Sequence, residues 1–273
     1  MKNAGGYSRS EKVRIFRGLF RGLTHVYGSY DPVTGRAFQV KKPVTNQVIQ
    51  DHLCGRQPYG VYLLVKDRTH ALTVDFDSHD RLAPLDFLNR AKHYGLSAYL
   101  ERSKSKGFHI WIFFQESGVL SSKARSVSYH MIEEIDAPVV EVFPKQDLLT
   151  ADQPYGNFIQ TPLFGALAPH GRTVFLDPAT YKPFPDQWSV LESVQRVFES
   201  QLDEIIEINS LTHGLSYNVD RFESGNENHN GFALPPCARK MLREGVTQYQ
   251  RVSCFRLAVH FKRLGLPLSL IHI

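Results

Sequence analysis

The chain has few cysteines and no long apolar run, and each shortage excludes a class of protein. Only three of its 273 residues are cysteines, Cys54, Cys237 and Cys254, too few and too scattered for the disulfide framework of a small secreted domain. No stretch reaches the roughly 20 apolar residues of a membrane span. The polar N-terminus lacks the apolar core of a signal peptide. We therefore expect a cytoplasmic protein that makes no use of a membrane.

The chain also lacks a large excess of charge of either sign. Lysine and arginine number 32 against 27 acidic residues, a net charge of +5 that permits a polyanionic partner without demanding one. The segment "SEKVRIFRGLFRG" predicts an amphipathic helix capped by Ser10, with Arg14, Arg17 and Arg21 on its basic side. That side is either an ordinary solvated surface or a contact for a phosphate backbone.

Strand and helix patterns alternate irregularly through about residue 210, which predicts an α+β (mixed α/β) domain over residues 1–212. A polar, Gly- and Asn-rich stretch at 213–232 predicts a linker. Residues 233–273 predict a small helical module too short to form its own core. Because the final "LPLSLIHI" stops where another helix should begin, we expect the natural chain to continue, with residues 268–273 belonging to no fold.

An acidic pair closes the apolar strand pattern of "LTVDFDSHD". Asp75 and Asp77 stand two residues apart, so on a strand their side chains share one face, roughly 6.6 Å apart along the chain. Carboxylates on one face repel unless a cation lies between them, and hard oxygen ligands suit Mg²⁺ or Mn²⁺. An acidic turn after a strand is also common, so a metal site and a plain turn both remain open.

A basic loop precedes the next strand pattern in "LERSKSKGFHIWIFF". Ser105, Lys106 and Gly107 offer a hydroxyl, an ammonium group and an unhindered backbone N–H, a set that can hold a phosphate chain. His109 lies in a strand pattern with two apolar faces, so we expect that strand to be buried on both sides. The alternatives are a plain basic hairpin turn and a hydrogen-bonded core histidine.

A third polar group lies in "VVEVFPKQD". Glu141 falls within an apolar strand pattern, where an unpaired buried carboxylate is costly, so either a metal or cationic partner or exposure on an edge strand must explain it. Lys145 can reach a phosphate or point into solvent. Asp147 is the alternative to Glu141 as a third acidic ligand.

The order of these segments resembles the catalytic motif series of the archaeo-eukaryotic primase superfamily. "DFD", "SKSKGFHIWIFF" and "VEVFPKQD" followed by "GNFIQTPL" carry the resemblance, and the chain is most similar to primase-polymerase domains of prokaryotic conflict systems, including CRISPR-associated ones. The similarity spans residues 12–190. It implies a primase core with an RRM-like palm, in a prokaryotic or viral protein.

The resemblance also implies roles for single residues. Asp75 and Asp77 match the family's first metal-binding pair, and Glu141 falls at its third acidic ligand, which many relatives carry as aspartate one position earlier, where this chain has Val140. Such a set implies a two-metal site for Mg²⁺ or Mn²⁺.

The nucleotide-binding residues follow from the same resemblance. Ser105 and His109 match the motif that holds the triphosphate of the incoming nucleotide. The loop departs from the commoner Ser-Gly-x-Gly form because Lys104 and Lys106 add charge. We expect Lys106 and Lys145 to assist in holding the triphosphate.

The tail "LPPCARKMLREG" resembles the C-terminal helical module of such primases and places Cys237 where some relatives bind an iron–sulfur cluster. We interpret Cys237 as a small core residue and do not expect a cluster.

These observations predict a DNA-directed primase-polymerase that synthesises or extends DNA or RNA primers. Its predicted partners are a template and primer, nucleoside triphosphates, and a helicase, a nuclease or CRISPR adaptation proteins. The competing hypotheses are a non-catalytic nucleic-acid-binding module with the same fold and a metal-dependent phosphoesterase.

Overall fold

The structure, a computed structural model, describes residues 6–31, 34–77, 80–137 and 140–211. Within these residues the helices are Arg9–Leu19 (α1), Asn46–Leu53 (α2), Leu82–His93 (α3), Ser121–Glu134 (α4), Gln187–Glu192 (α5) and Glu199–Ile208 (α6). The strands are Tyr27–Tyr30 (β1), Ala37–Val40 (β2), Gly60–Val61 (β3), Leu64–Val65 (β4), Arg68–Thr69 (β5), Ala71–Phe76 (β6), Tyr99–Arg102 (β7), Phe108–Phe113 (β8), Val119–Leu120 (β9), Glu141–Phe143 (β10), Ile159–Gln160 (β11) and Val174–Phe175 (β12).

A five-stranded antiparallel sheet in the order β10-β6-β8-β7-β12 forms the centre of the fold. All six residues of its middle strand, β8, are buried, as the two apolar faces of the sequence pattern predict. The patterns "SAYLERS" and "GFHIWIFFQ" predict a hairpin around the basic loop, and β7 and β8 do pair in antiparallel register. The fold is therefore the predicted mixed α/β class.

Helices and a second sheet cover the two faces of the central sheet. On one face, the ring of Phe87 on α3 lies 6.0 Å from that of Phe76, and α4 packs against β6 and β10. On the other face, Phe20 at the end of α1 meets Trp111 and Phe113 at 5.1 and 5.5 Å between ring centroids. The aromatic side chains of β8 are thus enclosed from both sides, which explains its uninterrupted hydrophobicity.

A second antiparallel sheet, in the order β11-β3-β1-β2, is built from the N-terminal part of the chain and one later strand. Gly28 and Gly60 face each other in its centre, and the ring of Phe158 lies across both. A Cβ on either glycine would overlap that ring, so a flat aromatic contact demands glycine at both positions. A small third sheet, β4-β5-β9, completes the strand pairing of the described residues.

One helix prediction is wrong. The pattern "SVLESVQRVFESQLDEII" predicts a single helix, but α5 ends at Glu192 and α6 begins only at Glu199. Between them, Val197 forms a parallel bridge with Phe114, and the guanidinium of Arg196 donates to the carbonyl of Phe114 at 2.8 Å. Backbone groups of the central sheet thus replace the helical hydrogen bonds that the pattern predicts.

Two smaller details also differ from the sequence predictions. Ser8, not Ser10, caps α1, since its hydroxyl accepts from the N–H of Glu11 while the Glu11 carboxylate accepts from the N–H of Ser8. The pattern "YGVYLLVKD" predicts one strand, but it is divided, because β3 belongs to the second sheet whereas β4 pairs with β5 in the third.

The predicted linker at 213–232 and helical module at 233–273, with Cys237 and Cys254, lie outside the described residues. Among the helices that the structure describes, none is both long and apolar enough to cross a bilayer.

Candidate active site

Four polar residues form a row across four neighbouring strands of the central sheet. Glu141 on β10 lies directly opposite Asp75 on β6, Asp75 opposite His109 on β8, and His109 opposite Glu101 on β7. Directly opposed residues share a face of a sheet with Cβ atoms about 4.5–5.5 Å apart. The register therefore brings together residues that are up to 66 positions apart in sequence (from 75 to 141).

His109 is held between two carboxylates. Its Nδ1 lies 2.9 Å from Oε2 of Glu101, and its Nε2 lies 3.6 Å from Oδ1 of Asp75. Burial opposes protonation of the ring, but the negative charges of Glu101 and Asp75 outweigh it, so the pKa of His109 is raised. Because Glu101 engages Nδ1, the Nε2 side of the ring faces Asp75.

Glu101 is a site residue that the sequence interpretation missed. Its carboxylate is 1% exposed, and the same Oε2 accepts a hydrogen bond of 2.6 Å from the indole N–H of Trp111 as well as the contact from His109. Two donors on one buried oxygen fix both rings. A glutamate inside the apolar pattern "SAYLERS" was the signal, since a carboxylate pointing into a core needs such partners.

The carboxylates at the edge of the row perturb one another. Burial raises the pKa of Asp75, and the neighbouring charges of Glu141 and Asp77 raise it further, while His109 opposes the rise. Glu141 is exposed, because β10 is the edge strand, and its carboxylate lies 2.6 Å from Nζ of Lys145. The edge-strand explanation of Glu141 is therefore correct for its exposure, yet the residue still lies beside Asp75.

The donor chemistry of this edge fits a hard divalent cation. Asp75, Asp77 and Glu141 supply only carboxylate oxygens. The charges of Asp77 and Glu141 contribute to the raised pKa of Asp75, and a bound cation would relieve this repulsion. In the described part of the chain, no three His, Cys, Asp or Glu side chains are grouped closely enough to hold a metal ion, and the Glu141 carboxylate is paired with Lys145. The three carboxylates that could hold a metal ion are thus neighbours, but their oxygens do not converge on one position.

The other acidic residue considered for this role lies elsewhere. Asp147 forms an ion pair of 2.6 Å with Nε of Arg125 on α4, and Arg125 also donates to the carbonyl of Pro144. The structure therefore places Glu141, not Asp147, beside Asp75.

The basic loop between β7 and β8 is shaped by its own hydrogen bonds. The hydroxyl of Ser103 donates to the carbonyl of Lys106 at 2.8 Å, and Gly107 adopts a φ of 94°, which favours glycine. Lys104 points to the second sheet, with its Nζ 3.9 Å from the ring centroid of Tyr30 on β1. Ser105 and Lys106 are exposed and adjoin the strand of His109.

Comparison with known proteins identifies the family. A family model described as the archaeo-eukaryotic primase domain of the TOTE conflict system matches residues 31–205. The chain belongs to this primase family. No curated protein matches the chain. Among solved structures, the polymerase domain of Mycobacterium tuberculosis Ligase D in complex with DNA has 15% sequence identity and a TM-score of 0.40, over 74% of this chain and 86% of that one.

Proposed function

We propose that this primase domain catalyses template-dependent nucleotidyl transfer, adding nucleotides to a DNA or RNA primer or joining the first two of a new chain. One observation carries the proposal: the sheet register places Asp75, His109 and Glu141 side by side, with the basic loop adjoining His109. An acidic edge for the reacting oxygens and a cationic edge for the triphosphate are the two parts that this reaction needs.

The cationic side of the site would bind the triphosphate of the incoming nucleotide. The Nε2–H of His109 is directed away from Glu101 and can donate to a phosphate oxygen, and its raised pKa favours the charged ring. Ser105 and Lys106 add a hydroxyl and an ammonium group on the exposed loop. Lys145 would be free for a phosphate once Glu141 turns to another partner.

The acidic side would hold one or two Mg²⁺ or Mn²⁺ ions through Asp75, Asp77 and Glu141. When bound, such ions supply positive charge at the reacting phosphate and lower the pKa of the attacking hydroxyl. Asp75 contributes a carboxylate fixed on a rigid buried strand, whereas Glu141 contributes one from an exposed edge that is free to change its rotamer.

Primer extension tests the proposal. A labelled primer on a template is incubated with ribo- or deoxynucleotides and Mn²⁺ or Mg²⁺, and product length is measured. We expect Asp75→Asn to reduce incorporation by about 10³-fold, equivalent to about 4 kcal/mol of barrier. Asp86→Asn removes an exposed carboxylate from α3 and serves as the matched control, with a rate within about twofold of wild type.

The same gel distinguishes the competing hypotheses. Shortened labelled strands that disappear with Asp75→Asn would indicate a phosphoesterase. A wild-type protein that retains the strand but never changes its length, with either metal ion, would indicate a binding module and contradict the proposal.

A further inference from the structure

A groove lined by arginine runs between α1 and α2. Its volume is about 460 Å³; α1 contributes two guanidinium groups to it, the residues just after α1 contribute a third, and α2 contributes two side-chain amides. The residues concerned are Arg14, Arg17, Arg21, Asn46 and Gln50. No carboxylate lines the groove in the part of the chain that the structure describes.

The positive charge of this groove is only partly neutralised. Arg14 is exposed and has no ion-pair partner among the described residues. Arg17 donates to the neutral Oδ1 of Asn46 at 2.6 Å. Arg21 pairs with Glu116, but that carboxylate is shared with Arg196, whose Nη2 lies 3.2 Å from it. A guanidinium group that meets only an amide keeps its charge and several donors for an anion.

Acidic residues on both helices are engaged elsewhere. Glu11, three residues before Arg14, accepts from the backbone and hydroxyl of Ser8 at the start of α1. Asp51 on α2 lies 2.6 Å from Nη2 of Arg56 and accepts from Gln47. The helices thus turn their carboxylates away from the groove and their arginines into it.

The groove lies apart from the candidate active site. Arg196, which shares Glu116 with Arg21, also donates to the carbonyl of Phe114, five residues beyond His109 along β8. At 3.3–3.4 Å per residue these points are about 17 Å apart along the strand. Arg21 therefore connects to the sheet near the end of β8 that is farther from His109.

The spacing of the arginines suits a chain of phosphates better than a single ion. Arg14 and Arg17 are three residues apart on α1, about 4.5 Å along its axis at 1.5 Å per residue, and Arg21 follows the end of the helix. Stacked nucleotides advance about 3.4 Å each, so the two helical arginines are spaced for neighbouring phosphates of one strand. Guanidinium groups bind phosphate oxygens in a bidentate manner, and the flanking amides of Asn46 and Gln50 add neutral donors.

We propose that the groove between α1 and α2 is a second, non-catalytic site that binds the phosphate backbone of a single nucleic-acid strand. It extends the proposed function by giving the template or primer a contact remote from the chemistry. Since it requires neither nucleotide nor metal ion, it can be measured without catalysis.

Binding of a fluorescein-labelled single-stranded oligonucleotide to the full chain, followed by anisotropy in EDTA from 50 to 200 mM salt, tests the inference. We expect Arg14→Gln with Arg17→Gln to weaken binding about tenfold at the lowest salt and to flatten the log–log salt slope by about 1.4, the value for two lost phosphate contacts on a single strand. Arg14→Gln alone, which breaks no contact of the fold, should weaken binding about threefold.

The control carries the same change of charge outside the groove. Arg9→Gln with Lys92→Gln removes two exposed cations, one at the start of α1 and one on α3, and should bind within about twofold of wild type. Equal losses in both double variants, or unchanged binding when Arg14 and Arg17 are replaced, would overturn the inference.

Two further measurements distinguish a nucleic-acid strand from free phosphate as the ligand of the groove, and distinguish failure of this inference from failure of the proposed catalysis. If ATP or pyrophosphate displaces the labelled strand as well as unlabelled strand does at equal phosphate concentration, the groove is a free-phosphate site and the strand assignment is wrong. Asp75→Asn should bind the strand as wild type does. Loss of binding by the arginine variants in a protein that never extends primers would support the groove and refute the proposed catalysis.

Discussion

Two buried histidines, one beside each of the larger sheets, show how different surroundings give one residue type opposite properties. His52, at the end of α2, and His109, on β8, are 0% and 5% exposed. Nδ1 of His52 accepts from the N–H of Tyr59 at 3.0 Å, which leaves its Nε2–H to donate to the carbonyl of Pro162 at 2.8 Å. Those partners are neutral, whereas His109 has a carboxylate at each nitrogen.

The electrostatic outcome follows from the partners and not from burial. Burial lowers the pKa of His52 to about 4, and the hydrogen bond to Pro162 opposes only part of that shift. For His109 the same burial is overcome by Glu101 and Asp75, and the pKa is raised. A neutral imidazole linking backbone groups stabilises a fold, while a charged one can bind an anion. Burial of a histidine alone therefore says nothing about function.

The largest expected difference between the two histidines appears when both are changed to asparagine. In His109→Asn the amide nitrogen can replace Nδ1 as donor to Glu101, but the group that faces the triphosphate is lost. We expect primer extension to fall by about 10²–10³-fold, as for loss of one charge-stabilising donor, with a melting temperature within a few degrees of wild type.

His52→Asn is the matched change in the other region. Its amide oxygen can still accept from Tyr59, but the carbonyl of Pro162 loses its donor, which should cost about 2 kcal/mol of unfolding free energy in urea titrations. Extension per folded molecule should stay within about twofold of wild type. If His52→Asn lost extension while remaining folded, or if His109→Asn only unfolded, the division into structural and functional histidines would be wrong.

The sequence predicted the strands of the candidate active site better than it predicted the second sheet and the surroundings of His52. The alternating pattern around Asp75 and the apolar run after His109 were sufficient to predict two central strands, and motif order linked them to Glu141. The short strands β1 and β2 gave no such signal, because each is only four residues long, and β1 is completed by pairing with β3, where Gly28 faces Gly60. The role of His52 was invisible for the same reason, since its acceptor lies 110 residues away.

The pH dependence of stability gives a smaller expected difference between the two histidines. The pKa of His52 is about 4 in the folded chain, against about 6.5 for an unperturbed histidine, so the unfolded chain binds more protons between these values and stability falls as the pH falls. From pH 7 to pH 5 we expect a loss of about 2 kcal/mol in the free energy of unfolding. The measurement is a set of urea titrations at half-unit steps of pH.

The non-titrating variant His52→Asn is the control for this titration. Its stability should fall clearly less than that of the wild type over the same range, because the buried His52 no longer takes part, while His70, whose pKa burial also lowers, contributes equally in both proteins. His109 acts in the opposite sense: with a raised pKa it loses stabilisation only as pH rises above 6.5. A wild-type curve that is flat from pH 7 to pH 5 would show that His52 is not held neutral by the fold.

The smallest expected effect concerns the carboxylate that distinguishes His109 from His52. Glu101→Gln keeps the size of the side chain and one oxygen that can accept from Trp111, but it removes the negative charge beside Nδ1. Because Glu101 acts through His109 and not on the substrate, we expect a loss of about tenfold in the extension rate, comparable with removal of other groups that orient a binding residue.

The pattern of that loss separates positioning from plain destabilisation. The KM for the nucleotide should rise while the melting temperature changes little. The variant Glu101→Asp should remain less active than wild type, because its shorter side chain cannot reach both rings. In the double variant, Glu101→Gln should add almost nothing to the loss caused by His109→Asn, since Glu101 acts only through the ring that is already absent. Additive losses would mean that Glu101 influences the site by another route, and the contrast between the two histidines would then rest on Asp75 alone.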